Sequence, residues 1–199
     1  MEYACLPVGR DFMRDSLLQY QPFRAFNVID DFNREALNIT IAKSITSKRV
    51  ILELEQLIQW RGKPKSIRVD NGPEFISQSL RDWCEDPKRQ IELTFIQPGK
   101  PSQNGYIERF NRTYREDVLD RWLFEKLADA QAESNRWIWI YNNERPHSSL
   151  NNIPPREFLL KYGKLHLPAD QSHEFATFQQ DDDGDVQFEE KTIFLTVAK

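Results

Sequence analysis

Leu37, Ile39 and Ile41 recur at every second position between Ala36 and Lys43, the period of a strand with a buried face. Two earlier stretches, residues 10–17 and 22–29, are also strand candidates, the second ending at Asp30-Asp31. The period then changes. Val50, Ile51, Leu54, Leu57 and Ile58 fall at helical spacing, with Ser47 as the expected cap and Gly62 and Pro64 as the stop. Ile67-Arg68-Val69 predicts a short strand that delivers Asp70 to its end, and Asn71-Gly72-Pro73 turns the chain into a helix over 74–85. Residues 91–96 predict a further strand, 97–101 a loop, and 103–119 and 124–142 two helices. Pro146, Pro154 and Pro155 break up the segment after these helices, 166–186 has the composition of a linker, and 186–197 is a strand candidate that can pair with 174–179. There is no internal repeat. Three strands followed by alternating helix and strand predict an α/β protein, a mixed sheet flanked by helices.

Composition narrows the class. The 199 residues are 39% hydrophobic and 12% aromatic, enough for a real core and against wholesale disorder. No apolar run approaches the roughly 20 residues of a membrane span. Pro7, Gly9, Arg10 and Asp11 interrupt the layout of a signal peptide. Cys5 and Cys84 cannot build a zinc cage or a disulfide framework. A soluble cytoplasmic protein with no membrane partner is expected. The net charge of −4 hides an asymmetry: residues 1–165 carry 25 basic and 23 acidic side chains, while 166–199 hold eight acids against Lys191 and Lys199. Bulk charge therefore does not declare nucleic-acid binding, and any such site is local.

The helix around Glu108 is the most informative element. At 100° per residue, Ile107, Phe110, Tyr114 and Val118 share an arc of about 80°, the stripe expected to be buried. Glu108, Arg112 and Arg115 share an arc of about 60° beside it. Such a helix can present a carboxylate to a site and arginines to phosphates; equally, Glu108 and Arg112 can be an ordinary i, i+4 pair on a solvated face. Asp70 stands at a strand end, where ligands gather in open α/β sheets, or it closes an Asx turn. Asp11 lies on the first candidate strand, as a ligand or as a solvated residue. Three converging carboxylates would suit hard divalent cations. His147 has no cysteine or second histidine nearby and is expected to tie down a loop. Trp137 and Trp139 are expected in the core or an interface.

Five stretches carry a resemblance: DFMRDSLL (11–18), FNVIDDFNREAL (26–37), RVDNGPEF (68–75), FIQPGKPSQNGYIERFNRTYRED (95–117) and YNNERPHSSLN (141–151). In this order they resemble the catalytic core of retroviral integrases and of bacterial DDE insertion-sequence transposases, in particular the second-reading-frame product of the IS-three family. The resemblance implies a ribonuclease-H-like fold with a catalytic, metal-binding triad of Asp11, Asp70 and Glu108. Asp30 and Asp31 are decoys in that reading. It further implies DNA contacts from Arg112 and Arg115, and from Lys100 in the loop before the helix. Mg²⁺ or Mn²⁺, two ions in all, would be the cofactor, with Asp11 serving both. The implied activity is DNA strand cleavage and strand transfer in transposition, by a homo-oligomer working on transposon ends and target DNA in a bacterial cytoplasm, at the nucleoid when active.

The sequence also departs from that family. Asp11 follows Leu-Pro-Val-Gly-Arg, without the usual preceding tryptophan or end-recognition region, so the first ten residues are expected to be irregular and the core to run from 11 to 160. The interval between Asp70 and Glu108 is slightly long, with the excess at Glu85–Gln90, a surface turn. Residues 161–199 form an acidic extension outside the motifs. The alternative is accordingly a truncated, inactive remnant that binds DNA or oligomerises without catalysis. A nuclease of RNA–DNA hybrids fits a metal site but not the Arg-Pro-His and Gln-Pro-Gly-Lys-Pro stretches.

Overall fold

A computed structural model of the chain describes residues 6–7, 12–97, 105–163, 179–180 and 186–187. Two compact units are distinguished, Met1–Lys164 and Leu165–Lys199.

The first unit is organised on β3 (Pro22–Ile29), paired antiparallel with β2 (Met13–Ser16) on one edge and β4 (Ala36–Ala42) on the other. β3 is apolar at nearly every position because both of its faces are covered. Phe26 and Val28 enter one core, and Phe23, Ala25 and Ile29 enter the other. A second set of strands is parallel, in the order β1 (Leu6–Pro7), β5 (Ser66–Val69) and β6 (Glu92–Phe95). Pro7 sits at the end of that order, a position where proline is tolerated.

The first core holds Phe12, Phe26, Ile67, Val69 and Phe75 under α1 (Ser47–Arg61) and α2 (Gln78–Glu85). The second holds Met13, Phe23, Ile39 and Ile41 under α3 (Gly105–Tyr114) and α4 (Leu127–Asn143). The stripe expected on α3 is buried throughout: Ile107, Phe110 and Val118 are 1% exposed and Tyr114 is 0% exposed. At roughly 1.5–3 kcal/mol for each fully buried large side chain, this stripe is the main hold on the helix. Trp137 and Tyr141 of α4 meet Phe110 edge-on, with centroids 5.4 and 5.1 Å away. Trp137 is thus in the core, as expected, whereas Trp139 is 58% exposed.

Several elements differ from the pattern reading. The alternation through Leu37 is interrupted by a bulge: the β3–β4 register shifts between Val28 and Ile29. Leu37 therefore enters the first core while Ile39 and Ile41 enter the second. The cap of α1 is Thr46 rather than Ser47, its hydroxyl accepting from the Arg49 amide. The helix expected over 74–85 begins at Gln78, capped by Ser77, because residues 73–76 are occupied in a turn on the Gly72 carbonyl. The helix expected to run to 119 widens into a π turn over Arg115–Leu119, where the Asp120 amide donates to the Arg115 carbonyl at 2.9 Å. Pro155 does not break a helix but starts one, α5 (Pro155–Tyr162), since proline costs nothing at a first helical position.

In the second unit Gln179–Gln180 (β7) pairs antiparallel with Val186–Gln187 (β8). The expected pairing of 174–179 with 186–197 otherwise falls outside the described residues. No helix among the described residues is long and apolar enough to cross a membrane.

Candidate active site

β5 ends at Val69, and the next residue, Asp70, is 8% exposed. Its Oδ1 accepts the Gly72 amide at 2.8 Å, so the Asx turn is present. A side chain at residue 72 would place its Cβ 2.9 Å from that same oxygen. Glycine is therefore required for the carboxylate to sit where it does. Below the turn, the rings of Phe12 and Phe75 stack at 5.4 Å with planes 13° apart, and Phe26 closes the group at 5.8 and 6.2 Å. The turn is anchored in the first core by these rings.

An open groove of about 590 Å³ lies over this floor, lined on one side by Phe12, Asp70 and Gly72–Phe75 and on the other by Asn111, Arg112 and Arg115 of α3 and its π turn. Met13 and Arg14 of β2 and Arg24 of β3 complete it. Arg24 forms an ion pair with Glu74 and stands over the Phe12 ring at 4.9 Å. Arg14 and Arg24 are directly opposite in the β2–β3 register, a like-charge placement that normally destabilises a hairpin. Four guanidinium groups thus surround a groove that holds two carboxylates. The sequence pattern pointed to Arg112 and Arg115 and missed Arg14, Arg24 and Asn111. The detectable signal was the register itself, which sets two arginines against each other once the hairpin is drawn.

Of the residues named from the sequence, the structure brings Asp70, Arg112 and Arg115 to this one groove. Glu108 is on α3 one turn before Arg112, half-buried, and is not among the lining residues. Asp11 and Lys100 lie outside the described residues, although Asp11 is the chain neighbour of Phe12, a lining residue. Among the described residues no three His, Cys, Asp or Glu side chains are grouped closely enough to hold a metal ion. Arg112 is exposed. Arg115 is engaged: it donates to the Arg14 carbonyl at 2.9 Å and pairs with Asp15 and Asp120 at 3.5 and 3.6 Å. Its contacts tie the π turn to β2 as well as edging the groove.

Asp30 and Asp31 lie at the β3–β4 turn. Burial raises both carboxyl groups above the usual range, more than Arg61 lowers Asp30, or Arg68 and Arg34 lower Asp31. Arg61 pairs with Asp30 at 3.6 Å and with Glu35 at 2.5 Å, and Arg156 of α5 reaches Glu35 at 3.0 Å. This network, buried at Asp30 and Glu35 and exposed at Arg156, fastens the turn to α1 and α5. Arg34 has a φ of 61°, a left-handed conformation that costs a non-glycine residue about 1–2 kcal/mol. His147 ties down its loop as expected: its amide donates to the Ile153 carbonyl at 3.2 Å, and its carbonyl accepts from Leu150 and Asn152. Its ring meets Tyr141 edge-on at 4.7 Å. Burial, with Arg145, Arg34 and Arg109 nearby, lowers the imidazole to about 4.

The parallel and antiparallel strands, the helices on both faces and the site beyond a strand end are those of a ribonuclease-H-like fold. The catalytic core of HTLV-2 integrase, solved in complex with magnesium as a trimer, superposes with a TM-score of 0.60 at 21% identity, over 79% of this chain and 97% of that one. Integrase core domain models match residues 10–101 and 89–155. The chain belongs to the integrase core domain family. It is 40% identical over 152 residues to an uncharacterized 31.7 kDa protein of insertion element IS407 from Burkholderia multivorans, covering 76% of this chain and 54% of that protein. It is 39% identical to a 39.2 kDa protein of insertion element IS476 from Xanthomonas euvesicatoria, over 76% of this chain and 43% of that one. The chain spans about half the length of these curated relatives.

Proposed function

We propose that this chain is the catalytic core of a DDE-type transposase that cuts DNA at transposon ends and joins them to target DNA. The observation that carries this reading is the groove beyond the end of β5, where Asp70 sits with Arg14, Arg24, Arg112 and Arg115. A carboxylate amid several arginines suits a phosphodiester backbone, which the guanidinium groups can hold.

Asp11, Asp70 and Glu108 are the residues that would hold two divalent ions. Their donors are carboxylate oxygens, which suit Mg²⁺ or Mn²⁺, and Gly72 leaves the Asp70 carboxylate room at the groove. When bound, such ions supply activation of the attacking oxygen and stabilisation of the leaving one. The chain's own residues bind and orient. Arg112, with Arg14 and Lys100, grips backbone phosphates. Arg24 exchanges its partner Glu74 for a phosphate oxygen. Arg115 holds the π turn against β2 so that Arg112 stays at the rim. In the reaction a water or a DNA 3′-hydroxyl attacks phosphorus and gives up its proton to solvent, the bond to the departing 3′-oxygen breaks, and that oxygen takes up a proton from solvent. The protein works as a homo-oligomer in a bacterial cytoplasm, close to its DNA substrate.

The test is Mn²⁺ calorimetry on the whole chain beside Asp70→Asn, followed by strand joining on branched DNA. Binding and joining that both vanish in the variant support the reading. Equal binding in the two proteins overturns it in favour of a remnant that binds DNA without chemistry.

A further inference from the structure

Asp30 and Asp31 take no part in the proposed chemistry, yet their carboxylates are held in different ways. Asp30 closes its own turn, accepting the Phe32 amide at 2.8 Å, and pairs with Arg61. Asp31 lies between two other arginines. Its Oδ2 accepts from Arg68 Nη1 at 3.1 Å. Arg34 Nη1 donates to its backbone carbonyl and stands 3.5 Å from its Oδ1. The Arg34 guanidinium in turn lies 3.3 Å from the centre of the Tyr106 ring.

The ends of this chain of contacts are informative. Arg68 is on β5, two residues before Asp70; Tyr106 is on α3, two residues before Glu108. These two elements share no apolar core, since Ile67 and Val69 pack in the first and Ile107 and Phe110 in the second. Their apolar packing therefore relates the two carboxylates only indirectly, through strands such as β3 that feed both cores. The four side chains Arg68, Asp31, Arg34 and Tyr106 span that gap. The backbone of Arg34 points the same way. At a φ of 61° glycine would sit without strain, whereas the arginine holds its side chain across the gap in a conformation its backbone disfavours.

We propose that Asp31 and Arg34 are positioning residues that set the separation of Asp70 and Glu108 by bridging β5 to the start of α3; this rests on the reading of those two carboxylates as metal-holding groups. Groups hydrogen-bonded directly to metal ligands change affinity by about 10–100-fold when removed; Asp31 and Arg34 act one contact further out, so the lower end of that range is expected.

The experiment titrates Mn²⁺ into the full chain by calorimetry for wild type, Arg34→Gly, Tyr106→Ala, Tyr106→Phe and Asp70→Asn, with a thermal melt of each. Arg34→Gly relieves the backbone while deleting the bridge, and Tyr106 is already 49% exposed, so both are expected to melt close to wild type. Both are expected to bind Mn²⁺ more weakly, by roughly tenfold. Tyr106→Phe keeps the ring and is expected to bind as wild type. Asp70→Asn separates the two claims. If it loses binding while Arg34→Gly and Tyr106→Ala bind as tightly as wild type, the positioning role falls and the site reading stands. If Asp70→Asn itself binds as wild type, both fall. If weakened binding in Arg34→Gly and Tyr106→Ala simply tracks early melting, the bridge is structural only and the proposal is overturned.

Discussion

The carboxamide of Asn142 makes two 2.8 Å hydrogen bonds to one residue, donating to the Ala36 carbonyl and accepting from the Ala36 amide. An α4 side chain thereby does for the first residue of β4 what a neighbouring strand would do. Both partners are buried, at 5% and 2% exposure.

Asn142→Ala is expected to leave two buried backbone groups without partners. At about 1–3 kcal/mol for each unsatisfied group, the loss is large enough to lower the melting temperature by roughly 5–15 °C. A thermal melt followed by circular dichroism checks this. A shift within about 2 °C would mean that water replaces the amide.

Gly72→Ala separates fold from site. The added Cβ would meet the Asp70 carboxylate at 2.9 Å, so the carboxylate must move, while Phe75 at 3.4 Å is in ordinary contact. Stability is expected to change by less than about 1 kcal/mol, and Mn²⁺ affinity to fall clearly. Unchanged affinity would show that the Asx turn does not set the position of Asp70.

The groove arginines are expected to appear in the salt dependence of binding to a duplex of mixed sequence. Each guanidinium that neutralises a phosphate adds about one to the slope of log K against log salt. Arg112→Ala is expected to lower the slope by about one unit, and Arg24→Ala by less, because Glu74 competes for that arginine. Fluorescence anisotropy at several salt concentrations measures both. A slope untouched in Arg112→Ala removes α3 from the DNA contacts.

His147 predicts an acid-side loss of stability. Its folded value, about 4, lies below the ordinary 6.5 of the unfolded chain, so the unfolded state binds more protons between these two values. The contribution of the neutral imidazole is complete above pH 6.5 and is lost as pH falls towards 4. Arg145, Arg34 and Arg109 all oppose its protonation. Urea unfolding at about pH 5 and pH 7 is expected to show a smaller difference in His147→Gln than in wild type. Equal differences would show that the imidazole titrates normally.

The elements most legible in the sequence were those whose burial is uniform along their length. β3 fills both cores and ends at the Asp30 turn, so its apolar run and its stop were both visible. The α3 stripe was visible for the same reason. The bulge at Leu37 was not, because a bulge changes which core a residue enters without changing residue type. α5 was hidden by Pro154-Pro155, whose role depends on falling at a helix start rather than inside one. At the site, Asp70 was legible from its strand end. Arg14 and Arg24 were not: along each strand they are ordinary polar residues, and only the pairing of β2 with β3 makes them face one another.

The π turn at Arg115–Leu119 puts one extra residue into the helical winding. Upstream of it the helix keeps step with the groove through Arg112; within it, Val118 and Leu119 are both buried in the second core. The turn thus takes up one residue while the helix keeps a single buried face from Ile107 to Leu119. A deletion of one residue there is expected to restore regular winding at the cost of few hydrogen bonds, because the wide turn already absorbs the extra residue. This segment is therefore more tolerant of a one-residue change in length than of a polar replacement of Val118 or Leu119.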